Sequence, residues 1–439
     1  MDWRSAYRDR LITPAESAAL VKSGDLVRLP LGSVPASFTN ALADRREDLT
    51  GVVVQQAIPS VRYPWTTDKS WQESIRHVTD FVSPAIRRGV AANLVDFAVS
   101  DYSLGKKVLE DGRRDSWTAD VFVALVSEPD EDGVVSFGYS LWHNKALAKS
   151  AKLCIAEVGQ DILRTGGDNF ISISEFDYLI EQETAPPSPE DLVPRPPPDE
   201  EQYLIEAIGY HVSTLVRDRD TVQIGTGTVS SCMGTYLMER QDLGIDSEII
   251  VPTAVELVKA GRASGRYKQV HQGKATGSFI APGSDFGFVH DNPQFELYDI
   301  AEVNHVPRIA NIDNLVAINN AGVIDLAGQV GAETWGERLW SGPGGQLVWT
   351  MGALLSRGGR AVTVLTSVTS DGTSRIVPQL EPGTVVTVPR TWVDFVVTEH
   401  GIANLQGKTQ RERAQELIAI ADPEARDELQ REARRLYWP

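Results

Sequence analysis

Short, continuous apolar runs recur along this chain, separated by longer segments with helical spacing. The clearest are Val52-Val53-Val54, Phe97-Ala98-Val99, Val121-Phe122-Val123-Ala124-Leu125-Val126, Leu153-Cys154-Ile155-Ala156, Val362-Thr363-Val364-Leu365 and Val385-Val386-Thr387-Val388. A strand with one wet face alternates apolar and polar positions, whereas a strand covered on both faces reads as an unbroken apolar run. These runs therefore predict buried parallel strands with helices on both sheet faces, an α/β architecture. The charged, amphipathic stretch from Lys408 to Leu436 predicts one or two surface helices broken near Asp422-Pro423.

The pattern also repeats. Leu20, Val21, Asp25, Val27, Gly32 and Val34 recur as Leu215, Val216, Asp220, Val222, Gly227 and Val229, a constant offset of 195 residues. Each copy reads as a helix end, an acidic turn, a short strand, a glycine turn and a second helix (Ala36 to Arg45; Ser230 to Arg240). Between the copies, residues 185–200 are rich in proline and acid and lack periodicity, which predicts an extended linker. The expected organisation is a domain over 1–184, the linker, and a second related domain over 201–439, each within the usual size range.

Composition narrows the function. The chain has 439 residues, 42% hydrophobic and 23% charged, values of a soluble globular protein. No apolar run approaches bilayer-spanning length, and Met1-Asp2-Trp3-Arg4 does not read as a signal peptide. Cys154 and Cys232 are the only cysteines and sit in apolar contexts, so a disulfide framework is not expected and a reducing cytoplasm is the default. The formal net charge of -18 argues against nucleic acid as a partner. It also means that an anionic ligand needs local lysines, arginines or helix N-termini.

One stretch carries the most specific signal: Ala317-Ile318-Asn319-Asn320-Ala321-Gly322-Val323-Ile324-Asp325-Leu326-Ala327-Gly328-Gln329-Val330, followed by Ser341-Gly342-Pro343-Gly344-Gly345-Gln346. Further motifs run in order along the chain: Pro129 to Gly133 with Ser136-Phe137-Gly138, Ala156-Glu157-Val158, His271-Gln272-Gly273-Lys274, Asp299 to Asn304, Ser374 to Pro378, Val396 to Ala403 and Gly407-Lys408. Together they resemble the acetyl-CoA hydrolase / 4-hydroxybutyrate CoA-transferase family over some 400 residues. The resemblance implies two related open α/β domains of class I CoA-transferase type, an active site in the cleft between them, and a homodimer. It also implies an acyl-CoA substrate, with coenzyme A as ligand and no tightly bound cofactor.

Aligned on that stretch, the family's nucleophilic glutamate falls at Val323, which has no oxygen with which to attack. A second departure is Gly244-Ile245-Asp246-Ser247-Glu248, where the family commonly reads Gly-Ile-His-(Ser/Thr)-Glu. A third is Leu31 to Ser37, in place of a Gly-x-x-x-x-Pro-Gln loop. The candidate substitutes are Asp325, two residues on and about 6–7 Å along a strand, and Glu333. The structural alternative, a hydrogen-bonding or loop role, weighs more for both. Glu399, in a Thr-Glu-x-Gly turn, and its neighbour His400 are candidate general bases for water. A surface or hydrogen-bonded role for them is the competing reading. Gly342, Gly344, Gly345 and Gly401 could present backbone N–H groups to an oxyanion or to CoA. Gly225 and Gly227 could cradle a phosphate or merely form a turn. Asn304 belongs to the matched motifs, and Lys274 and Lys408 are candidate partners for CoA phosphates, against the alternative of solvated surface lysines. The seven histidines show no metal-ligand spacing, so no metal site is expected.

With Val323 as the lost nucleophile, the leading expectation is an acyl-CoA-processing enzyme that hydrolyses or transfers by direct attack on the thioester. One alternative is CoA transfer to a carboxylate through a substitute carboxyl group. Another is a non-catalytic acyl-CoA-binding protein or partner subunit.

Overall fold

A computed structural model describes residues 3–104, 119–185 and 199–438. Most of the proline-rich segment expected as a linker, residues 186–198, lies outside the described residues. The chain forms two compact units, Met1–Leu192 with Gly277–Glu302, and Val193–Thr276 with Val303–Pro439. The return of residues 277–302 to the first unit is an excursion that a boundary read along the chain does not contain.

The first unit is built on a seven-stranded parallel sheet. Its order is Tyr178–Glu181, Leu153–Gly159, Val121–Ser127, Leu26–Leu29, Val52–Gln56, Ile75–Thr79, Val95–Phe97. The Val121–Ser127 strand is buried at every position, as its unbroken apolar run requires. Val27, Val54, Ile75, Phe38 and Trp65 meet in one core cluster. Full burial of side chains of this size stabilises by about 1.5–3 kcal/mol each. Glu157, in one of the family-like motifs, is buried and anchors the helix Ala36–Asp44. Its carboxylate accepts from Ser37 N at 3.2 Å and Phe38 N at 3.1 Å, and burial pushes its carboxyl up to about 7 against those bonds.

The second unit carries a six-stranded sheet in the order Gly244–Ile245, Thr221–Ile224, Leu315–Asn320, Arg360–Val364, Phe395–Thr398, Gly401–Asn404, parallel except for the last pair. The helices Gln410–Ala419 and Arg426–Tyr437 close its core, where Leu417 and Leu429 pack with Ile324, Val396 and Ala403. The protein is therefore α/β with two parallel sheets.

The repeated acidic turn has the same geometry in both units. Asp25 accepts from Lys22 N at 2.8 Å, and Asp220 from Arg217 N at 2.7 Å, each just before its strand. The copies diverge after the glycine turn. Ala36–Asp44 is an α-helix, but Ser230–Leu237 is a 3-10 helix, in keeping with the weak helix formers Ser230, Ser231, Gly234 and Thr235.

Two expected strands differ. The strand predicted at Phe97–Val99 ends at Phe97, and Val99 is 88% exposed. Val385–Val388 is no sheet strand. It makes one isolated antiparallel bridge, Val330↔Val388, and Val385 and Val386 are exposed.

Candidate functional site

In an open parallel sheet, ligands gather outside the carboxyl ends of the strands, where the strand order reverses. In the second unit that point lies between Thr221–Ile224 and Leu315–Asn320. The chain leaves the first of these strands through Gly225-Thr226-Gly227 and ends the other at Asn319-Asn320. The side chains interlock there. Gln223 and Asn319 exchange hydrogen bonds of 3.1 and 2.8 Å, and Ser230 N donates to Asn320 Oδ1 at 2.9 Å. A side chain at Gly225 would approach Asn319 Oδ1 to 2.7 Å, and one at Gly227 would overlap the Asn320 side chain. These two glycines thus allow close packing of the loop on the asparagines. Nothing in their contacts singles out a phosphate.

The neighbouring edge strand, Gly244–Ile245, leads three residues on to Glu248. Glu248 is half-buried, and its Oε2 accepts a 2.6 Å hydrogen bond from Asn304 Nδ2. Asn304 is 1% exposed, and its Oδ1 accepts from the buried Trp349 Nε1 at 3.0 Å. Indole N–H can only donate, so Trp349 fixes which way the amide points and aims its NH2 at the carboxylate. Trp349 lies one turn into the helix Gln346–Leu355, which begins directly after the glycine loop. The helix is tied to the switch-point strand by Gln346 Nε2, which donates to Asn320 O at 2.9 Å.

Gly344 has φ +53°, the left-handed conformation that turns the loop into this helix. Gly345 caps the helix with an ordinary φ of −90°, so its need for glycine is spatial. A Cβ there would overlap Glu248 Oε2 and come within 2.9 Å of Asn304 Nδ2 and 3.0 Å of Trp349 Cδ1. The Glu248 carboxylate therefore rests against the N-cap residue of a ten-residue helix, the end at which the helix dipole favours negative charge. A carboxylate oriented by an amide and given space by a missing side chain is equipped for nucleophilic attack.

Of the residues singled out from sequence, Asn304 and Gly345 meet here, with Gly342 and Gly344 in the same loop. The others lie in different surroundings. Val323 is 4% exposed in a short strand, Val323–Asp325, paired with Val330–Gly331 and Ile376–Val377. Asp325 is consumed by its own turn. Oδ1 accepts from Ala327 N at 3.0 Å and Gln329 N at 2.9 Å, and Oδ2 from Gln329 Nε2 at 2.7 Å. Glu333 is buried, and burial pushes its carboxyl up, with the Thr387 hydroxyl opposing.

Glu399 accepts from Ser367 N at 3.2 and 3.0 Å and also from the Ser367 hydroxyl, which makes it the anchor of the chain after Arg360–Val364. His400 Nε2 is 3.6 Å from Glu399 Oε1 and 4.0 Å from Asp422 Oδ2. Gly401, at φ +144°, opens the antiparallel strand Gly401–Asn404. Lys408 is ion-paired with Glu416, and the Lys274 carbonyl accepts from Lys268 Nζ at 2.9 Å.

The comparisons with known proteins agree with this architecture. The description "Acetyl-CoA hydrolase/transferase N-terminal domain" matches residues 1–188, and the corresponding C-terminal domain matches 285–433. The chain is 34% identical over 445 residues to the 4-hydroxybutyrate coenzyme A transferase of Clostridium kluyveri, covering 100% of both chains. It belongs to the acetyl-CoA hydrolase/transferase family.

A second relative, succinyl-CoA:cyclohexane-1-carboxylate CoA transferase of Geobacter metallireducens, is 35% identical over 440 residues, covering 99% of this chain and 97% of the relative. Among solved structures, RipA from Yersinia pestis superposes with a TM-score of 0.90 at 28% identity, covering 100% of both chains. The protein is thus a member of a CoA-transferase and acyl-CoA hydrolase family, for which CoA thioesters are the implied substrates. No helix among the described residues is long and apolar enough to cross a membrane.

The residue that reasoning along the chain passed over is Glu248. Its signal was in plain view as the last residue of Gly244-Ile245-Asp246-Ser247-Glu248. What distinguishes it is tertiary: a glycine and an asparagine from remote segments converge on its carboxylate.

Proposed function

We propose that the protein is an acyl-CoA:carboxylate CoA-transferase with Glu248 as its covalent nucleophile. The observation that carries this reading is the cleared, amide-oriented setting of the Glu248 carboxylate against Gly345. The direct-attack route rested on Val323 standing where a nucleophile is needed. With Glu248 in that role, Val323 is a packing residue and the covalent route is open.

The Glu248 oxygen attacks the thioester carbon. The C–S bond breaks and CoA leaves as thiolate, giving a mixed anhydride. The thiolate then attacks the Glu248 carbonyl and expels the first acid as its carboxylate. A glutamyl-CoA thioester remains. A second carboxylate reverses both steps, carries CoA away and restores Glu248. Asn304 holds the attacking carboxylate in one orientation, and Gly345 leaves room for it to carry an acyl group. The names of the two relatives, which both pair CoA transfer with a carboxylic acid, support an acid rather than water as acceptor.

The test is to incubate the protein with acetyl-CoA and map the product by peptide mass spectrometry. A gain of CoA minus water on the peptide containing Glu248, reducible by borohydride and absent in Glu248→Gln, is the expected result. Thiol release with no adduct at Glu248 would overturn the assignment and favour hydrolysis by direct attack.

A further inference from the structure

Two residues before Glu248, Asp246 is completely buried. Arg308 grips it with both arms, NH1 to Oδ1 at 2.9 Å and NH2 to Oδ2 at 3.1 Å. Thr276 Oγ1 donates to Oδ2 at 2.7 Å. Lys268 Nζ, equally buried, lies 3.0 Å from Oδ2 and donates to Ile245 O at 2.8 Å. Burial opposes ionisation of Asp246, but Lys268 and Arg308 outweigh it and hold the carboxyl well below the usual carboxylate range. The cluster is two cations around one carboxylate.

Such a cluster is poorly explained by stability alone, since a buried ion network often contributes no more than apolar residues of the same volume. Its place in the chain suggests a different purpose. Arg308 opens no new segment: it sits in the helix Val306–Ala310, four residues after Asn304. The stretches 246–248 and 304–308 are therefore joined by two rungs. One is the bidentate bridge Asp246–Arg308. The other is the hydrogen bond Glu248–Asn304.

We propose that the Asp246–Arg308 bridge is a positioning device that holds the Glu248 and Asn304 backbones in register while the Glu248–Asn304 hydrogen bond weakens and strengthens during turnover. This inference rests on Glu248 being the nucleophile. A carboxylate that attacks a thioester and then carries an anhydride and a thioester changes its charge and its bulk at each stage, and its hydrogen bond to Asn304 weakens when the charge is lost. The permanent rung returns it to the same place afterwards. Lys268 and Thr276 lock Asp246 so that the guanidinium fork has a fixed target.

The test uses full-length Asp246→Asn and Arg308→Lys, with acetyl-CoA as donor and butyrate as acceptor. Formation of the CoA adduct on the Glu248 peptide is followed in single turnovers. Misplacement of the nucleophile slows adduct formation and kcat about 10- to 100-fold while KM for acetyl-CoA stays within about twofold. Arg308→Lys keeps the charge but loses the fork, so it fails to restore the rate. Should these variants not fold, Thr276→Val removes one hydrogen bond to Asp246 and is expected to slow the adduct about fivefold. Adduct formation at the unsubstituted rate in folded Asp246→Asn, or in Thr276→Val if only that variant folds, overturns the inference and leaves the nucleophile intact. If the unsubstituted protein forms no adduct on Glu248, both fall together.

Discussion

Two acidic stretches of the second unit look alike in sequence and differ in what surrounds them. Asp325 ends a strand in a motif dense with family-like residues, and Glu248 follows a strand in a plainer one. Asp325 spends both oxygens on N–H groups of the next four residues, so its partners are local and most of its accepting capacity is occupied. Glu248 takes its hydrogen bond from Asn304 and its space from Gly345, both remote in sequence. A carboxylate closed on its own turn builds the scaffold. One whose environment is assembled from distant segments, with a side chain omitted to make room, is poised to react. Motif density marks where the fold is constrained, which need not be where the chemistry occurs.

That contrast can be broken at several points. The largest effect is expected from Glu248→Gln, which keeps shape and an oxygen but not the nucleophile. Loss of a covalent nucleophile should lower kcat by on the order of 10^4-fold or more, with the thermal midpoint nearly unchanged. A variant retaining more than a tenth of the activity would return Asp325 to candidacy. Next is Val323→Glu. If Val323 marked a lost nucleophile, a carboxylate there would raise transferase activity. Val323 is almost fully buried, so a carboxylate there must be desolvated, and the expected outcome is a loss of about 3 kcal/mol with no gain in rate. Denaturant unfolding and a thiol-release assay separate the two.

Gly345→Ala sharpens the comparison from the other side. The φ of −90° accepts alanine without strain, so folding should survive. The new Cβ must displace the Glu248 carboxylate, and kcat should fall about 10- to 100-fold with little change in the midpoint of unfolding. Equal loss of stability and activity would mean that the glycine serves packing alone.

Much of the fold was legible because doubly covered strands must be apolar throughout. Val121–Val126 and Leu153–Ala156 lie within strands of the first sheet on that ground alone. The rule misled at Val385–Val388. This run is short and is bracketed by Pro382-Gly383 and Pro389. Its threonines turn their hydroxyls to a neighbouring backbone instead: Thr387 Oγ1 accepts from Ala332 N at 3.0 Å, and Thr384 Oγ1 from Gly336 N at 2.9 Å. Local β propensity was real, but proline bounded the run and side-chain bonds replaced a ladder.

The candidate site was legible in pieces. The glycine loop and Asn304 stood out, but no spacing rule states which carboxylate a glycine makes room for. Lys408, a candidate partner for CoA phosphates from its sequence, pairs with Glu416 in the segment it precedes. That contact depends on a helix turn rather than on a motif.

The smallest effect is expected at Asp325 itself. Asp325→Asn preserves the side chain's size and leaves one oxygen to accept, but its NH2 faces donors where an acceptor is needed. Oδ1 takes two backbone N–H groups, so the amide oxygen will occupy that place and the NH2 will face Gln329 Nε2. The Gln329 amide can turn its Oε1 to that NH2, so what is lost is the charge that strengthened all three hydrogen bonds. A cost of about 1–2 kcal/mol follows, visible as a lowered urea midpoint with an unchanged slope. Because the turn belongs to the scaffold, kcat should stay within about twofold once the protein is assayed well below its unfolding transition. A fall comparable with that of Glu248→Gln would show that the crowded motif is the reacting one after all, and that the glycine-cleared carboxylate is the bystander.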